Sequence, residues 1–125
     1  MVNGKLVLAI DFDGTIAELS FPQVGGIRRG AVKYIRKLHD EGHYIIINTC
    51  RSGKFEGLAH DFMQDHGIPY HYMNSNLPEL IVEYGQDCRK ISADIYIDDK
   101  CIGGLPSWEQ IYNIIQEKLN TLEYE

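Results

Sequence analysis

The stretch LVLAIDFDGTI, residues 6–16, sets an unbroken apolar run directly before two carboxylates, Asp11 and Asp13, with Gly14 and Thr15 at once after them. An apolar run without alternation suits a strand covered on both faces, the habit of parallel sheets flanked by helices. Nothing in a strand calls for acids at its end. Two unit charges 4 Å apart repel by roughly 4 kcal/mol at an effective dielectric of 20, so the pair asks for a positive partner.

Outward from this run the pattern repeats. Residues 43–48 (HYIIIN) read as a second buried strand, 70–73 (YHYM) as a short one and 94–97 (DIYI) as another. Between them, apolar residues recur at helical spacing. Ala31, Tyr34, Ile35 and Leu38 predict a helix over 31–41 that stops at Gly42, and Phe55, Leu58, Ala59, Phe62 and Met63 predict one over 55–66 that stops at Gly67 and Pro69. Ser75, Asn76 and Pro78 open a short helix running to about Tyr84. Ser107 and Gln110 have capping-box spacing ahead of Ile111, Ile114, Ile115 and Leu119. Strand–helix alternation of this kind predicts an α/β fold: a Rossmann-like, mostly parallel sheet with helices on both faces. The 125 residues suit one domain, 1–125.

Parallel sheets bind ligands at the carboxyl ends of their strands, and there this sequence places its oxygen-bearing residues: Asp11, Thr49, and Asp98 with Asp99. A hard divalent cation relieves such crowding of acids, and Mg²⁺ is the usual choice where phosphate shares the site. Thr49 and Lys90 add a hydroxyl donor and an ammonium suited to phosphoryl oxygens. Gly14 permits a tight turn that can aim backbone N–H groups at the same oxygens.

In this order, DFDGT (11–15), the apolar strand ending in Thr49, Lys90, and IYIDD (95–99) resemble the four signature motifs of the haloacid dehalogenase superfamily, over nearly the whole chain from Leu6 to Asp99. The resemblance implies a Mg²⁺-dependent phosphomonoester hydrolase. Asp11 would be the nucleophile that forms an aspartyl-phosphate, and Asp13 the general acid and base. The carboxylates of Asp11 and Asp98 and the backbone carbonyl of Asp13 would hold the metal, with Asp99 acting from just behind them. Thr49 and Lys90 would hold the phosphoryl group. An acid two positions after the nucleophile resembles the phosphate-ester hydrolases of that superfamily rather than its dehalogenases or pumps. Lys90 lies only eight residues before Asp98, and Lys100 is the weaker substitute. Arg51, two residues after Thr49, is a further candidate for contact with a phosphate or the leaving group, and Arg28 and Arg29 are weaker ones.

Many superfamily members insert a cap domain. Here Ala17–Arg29 has 13 residues, enough for a small flap, and the 40 residues between Thr49 and Lys90 are used by a helix, a strand and a short helix. An open site suggests the phosphorylated end of a large substrate, or a neighbouring copy in a homo-oligomer that closes over it; a phosphorylated small molecule is the other substrate class. A receiver-like signalling domain combines similar residues, but with its acidic pair on the first strand rather than a late one. A non-catalytic phosphate-ligand-binding protein on the same fold is the third class.

The net charge of −6 disfavours non-specific binding to nucleic acid or anionic membranes. The sequence has no leader pattern and no apolar run near the ~20 residues of a membrane helix. Three cysteines without metal or disulfide spacing, Cys50, Cys88 and Cys101, suit a reducing cytoplasm. Cys50 reads as buried packing. His60 and His66, six apart, do not share a helical face.

Overall fold

The computed structural model describes residues 1–124. Four strands, β1 (Val7–Ile10), β2 (Tyr44–Ile47), β3 (Tyr72–Met73) and β4 (Ile95–Ile97), alternate with four helices, α1 (Ala31–Asp40), α2 (Gly53–Asp65), α3 (Pro78–Tyr84) and α4 (Trp108–Tyr124). The sheet is parallel throughout, in the order β3-β2-β1-β4.

Strand alternation sorts the core into two layers. Leu8, Ile10, Ile45, Ile47 and Ile97 face Ala31, Ile35 and Leu38 of α1, Ala59 and Met63 of α2, and Trp108, Ile111 and Ile115 of α4. On the other face, Val7, Ala9 and Ile46 pack with Leu77, Ile91 and Leu80, the last from α3. Helices therefore cover both faces, three against one. Both β1 and β2 are buried along nearly their whole length, which is why they read as unbroken apolar runs.

Chain direction follows from this layering. Two crossovers, α1 and α2, carry the chain from β1 outward to β3. The α3 crossover then returns it on the opposite face to β4, on the other side of β1. Strand order thus reverses between β1 and β4, and an open α/β sheet forms its binding crevice at that point.

The insertion after β1 is a small hairpin flap. Its arms pair Glu18 N–H with the Gly26 carbonyl (2.7 Å) and Arg28 N–H with the Ile16 carbonyl (2.8 Å). The start of α4 has the reciprocal capping box: Ser107 N–H donates to Gln110 Oε1 (3.0 Å) and Gln110 N–H to Ser107 Oγ (3.2 Å). Element bounds fall close to the sequence reading, although α2 begins earlier, at Gly53, and β3 is reduced to two residues. Cys50 is exposed rather than packed, because it lies beyond the end of β2 on the loop between Thr49 and the buried Arg51. No described helix is long and apolar enough to cross a membrane.

Candidate active site

Asp11 N–H donates to the Ile97 carbonyl (2.9 Å), so the ladder between β1 and β4 runs right up to the acids. Beyond it, Asp11, Asp98 and Asp99 each offer a carboxylate oxygen, all within 4.8 Å of one another. The acids of the first and last strands do meet.

A hydroxyl fastens the two ends. Thr15, fully buried, donates from Oγ1 to Asp11 Oδ2 (3.1 Å) and accepts the Asp99 N–H (3.1 Å). The indole of Trp108 donates to the Thr15 carbonyl (2.9 Å), pinning the turn to the start of α4. No role for Thr15 or Trp108 follows from the sequence alone. The only signal is a hydroxyl four residues after Asp11.

Gly14 sits at φ +84, and a Cβ there would lie 2.2 Å from Asp99 Oδ2. The turn and the close approach of Asp99 each require glycine. Of the backbone N–H groups that this turn was expected to aim at a ligand, that of Gly14 is already used: it donates to the Ala17 carbonyl (2.7 Å) and closes the turn. The N–H groups of Phe12 and Asp13 have no acceptor among the described residues.

The electrostatics favour a cation. Burial pushes Asp11 up to about 7, aided by a hydrogen bond with Asp99 and the charge of Asp98, while the Thr15 hydroxyl acts in the other direction. Asp99 Oδ1 is buried without a hydrogen-bond partner. Leaving a charged oxygen so is costly, and a divalent cation would satisfy it. Three hard oxygen donors fit Mg²⁺. Asp99, expected behind the metal ligands, offers an oxygen to the same cluster as Asp11 and Asp98. The Asp13 carbonyl accepts no hydrogen bond among the described residues, which leaves it open to a metal.

Thr49 follows directly on the sheet, where Asn48 N–H reaches the Ile10 carbonyl (2.8 Å). Its own N–H donates to Asn74 Oδ1 (2.8 Å) and its Oγ1 accepts Arg51 N–H (3.1 Å), leaving the hydroxyl proton for another acceptor. Asn74, at φ +57, also donates to the Arg51 carbonyl (3.2 Å). It shapes this loop and was not singled out by sequence.

Two sequence expectations change. Lys90 makes no ion pair with the acids, and its Nζ lies 5.1 Å from the Tyr96 ring centre. The reason is Asn76, whose bonds to Asp87, Cys88 and Ser92 fix the loop that carries Lys90. Lys100 is the cation at the cluster, with Nζ 3.7 Å from Asp99 Oδ2. Arg51 is not available to a phosphate: its side chain is fully buried and grips both Asp13 oxygens at 2.7 Å. The Asp13 carboxylate is thereby held apart from the three-acid cluster. Arg28 turns its guanidinium to the Gly14 and Thr15 carbonyls (3.5 and 3.4 Å).

No protein-family model matches the chain, and no curated protein matches it. A solved structure does: a conserved protein coded by a locus of Bacteroides thetaiotaomicron, 35% identical, with a TM-score of 0.83, 91% of this chain and 92% of that chain being covered. Identity at that level over nearly the full length of both chains means common descent, and this chain belongs to the same family as the conserved Bacteroides thetaiotaomicron protein.

Proposed function

We propose that the chain is a Mg²⁺-dependent phosphomonoester hydrolase of the haloacid dehalogenase type. The observation that carries this reading is the convergence of Asp11, Asp98 and Asp99 at the strand-order reversal, with one buried Asp99 oxygen lacking any partner.

Mg²⁺ held by Asp11, Asp98 and the Asp13 carbonyl would neutralise the carboxylates and draw charge from the phosphoryl oxygens. The Asp11 carboxylate attacks phosphorus, and the bond from phosphorus to the ester oxygen breaks. Asp13 gives the departing alkoxide its proton. A water then attacks the aspartyl-phosphate, losing its proton to Asp13. The bond from phosphorus to Asp11 breaks and inorganic phosphate leaves, with Asp11 again a free carboxylate and Asp13 again carrying the proton it gave up in the first step. The Phe12 and Asp13 N–H groups and the Thr49 hydroxyl face the charge that builds on the phosphoryl oxygens, and Lys100 beside Asp99 balances the acids.

The substrate class is a phosphorylated small molecule or an accessible phosphorylated end. Three free cysteines, two of them exposed, suit a cytoplasmic setting. The test is phosphate release from a chemically diverse panel of phosphomonoesters, with Mg²⁺ and with chelator. Release that chelator abolishes supports the reading, and no release from any member overturns it.

A further inference from the structure

Arg51 is the most completely bonded side chain near the site. Nε–H donates to Asp13 Oδ2 (2.7 Å), and Nη2 donates to Asp13 Oδ1 (2.7 Å) and to the Gln23 carbonyl (2.9 Å). Nη1 donates to the carbonyls of Pro22 (2.9 Å) and Phe55 (3.4 Å). All five guanidinium donors are thus used. The group lies between the rings of Phe12 and Phe21, 5.5 and 5.0 Å from their centres, and the Phe21 and Phe55 rings touch in turn.

These partners come from three segments: the turn after β1, the flap, and the first turn of α2. An ion pair serving stability alone needs one carboxylate. This one spends three of its five donors on backbone carbonyls, two of them in the flap. Val24 and Ile27 pack the far arm of the flap on the core, while Leu19 and Phe21 of the near arm are exposed, which leaves the Arg51 bonds to Pro22 and Gln23 as the polar tie between the flap tip and the site.

We propose that Arg51 is a positioning residue: it locks the Asp13 carboxylate and the flap into one unit, so that the acid is aimed only while the flap is seated over the site. This rests on the phosphatase reading above. Planar fork geometry is essential, because two parallel bonds fix the carboxylate plane as a single ammonium cannot. Arg51 touches no substrate, so its loss should leave KM nearly unchanged. The damage falls on both proton transfers of Asp13, and the first of them, delivery to the leaving group, is the one that depends on the substrate.

The experiment compares wild type, Arg51→Met, Arg51→Lys and Phe21→Ala with 4-nitrophenyl phosphate, whose leaving group needs little protonation, and butyl phosphate, whose leaving group needs it fully. In single-turnover measurements of the first step, transfer to Asp11, Arg51→Met should slow the reaction of butyl phosphate by about 100-fold, the scale of a misplaced acid, against less than about 5-fold for 4-nitrophenyl phosphate, with half-saturation steady on both. Arg51→Lys should keep most of that selective loss. Phe21→Ala, a surface change that should not threaten folding, should show a smaller loss of the same selectivity. Hydrogen exchange at Glu18 and Arg28, whose amides close the flap, should quicken in each variant. Equal losses in the first step on both substrates, a rise in half-saturation, or unchanged flap exchange overturns the proposal while the phosphatase reading stands. A wild type without turnover removes that reading, and flap exchange then decides the clasp by itself.

Discussion

Asp11→Asn should stabilise the metal-free protein. Three carboxylate oxygens lie within 4.8 Å of one another, where a pair of unit charges repels by roughly 3.5 kcal/mol at an effective dielectric of 20. The site is partly open to water, and screening reduces each pair to about 1 kcal/mol or less. Removing one charge from two such pairs predicts a gain of about 1–2 kcal/mol at pH 8 in chelator, or roughly 4–8 °C in Tm. The pH dependence follows from the Asp11 carboxyl being pushed up to about 7 from 3.8. Between those values the folded protein keeps a proton that the unfolded chain has lost, so wild-type stability declines as pH rises through that window. The advantage of Asp11→Asn should therefore vanish near pH 5. Saturating Mg²⁺ should reverse the order, since about 100-fold excess over Kd adds about 2.7 kcal/mol to the protein that binds it. Urea unfolding at pH 5 and 8, with Mg²⁺ and with chelator, measures all four quantities. An Asp11→Asn protein less stable than wild type at pH 8 in chelator would refute the crowding of these acids.

Gly14→Ala places a methyl 2.2 Å from Asp99 Oδ2 at φ +84; a loss of about 1–2 kcal/mol and loss of Mg²⁺-dependent stabilisation are expected by thermal unfolding with and without the metal. Thr15→Val removes the hydroxyl between Asp11 and the Asp99 amide, and should cost about 1–3 kcal/mol, read by urea unfolding, by leaving that amide unpaired. Burial, the leading cause, lowers both His43 and His71, each of which accepts a backbone N–H through Nδ1. Their contribution is complete above 6.5 and is lost as pH falls through and below it, because the unfolded chain binds the proton first. In Asp11→Asn, free of the opposing Asp11 titration, urea midpoints should fall steadily from pH 7 to 5.

The strands were readable because β1 and β2 are covered on both faces, which demands continuous apolar residues. The short β3 was less so: only two residues pair, and the neighbouring Tyr70 and His71 serve side-chain roles. Asp11, Asp98 and Asp99 could be placed together from sequence because parallel topology delivers strand ends to one edge. What escaped depends on paths that spacing does not encode. Arg51 looked like a ligand contact until the flap carbonyls of Pro22 and Gln23 came within its reach. Lys90 was read as the cation that holds the phosphoryl group and Lys100 as its weaker substitute, but Asn76 ties the Lys90 loop beside Tyr96. Gly14 was correctly read as a turn, yet its N–H closes that turn on Ala17.

Rapid quench of a single turnover with an activated phosphomonoester and Mg²⁺, followed by peptide mass analysis, probes the attacking group itself. One phosphoryl group is expected on the peptide carrying Asp11, formed and lost at rates that match turnover and absent in Asp11→Asn. Mg²⁺-dependent turnover with the phosphoryl group on another residue, or an Asp11→Asn protein that turns over at the wild-type rate, would contradict it.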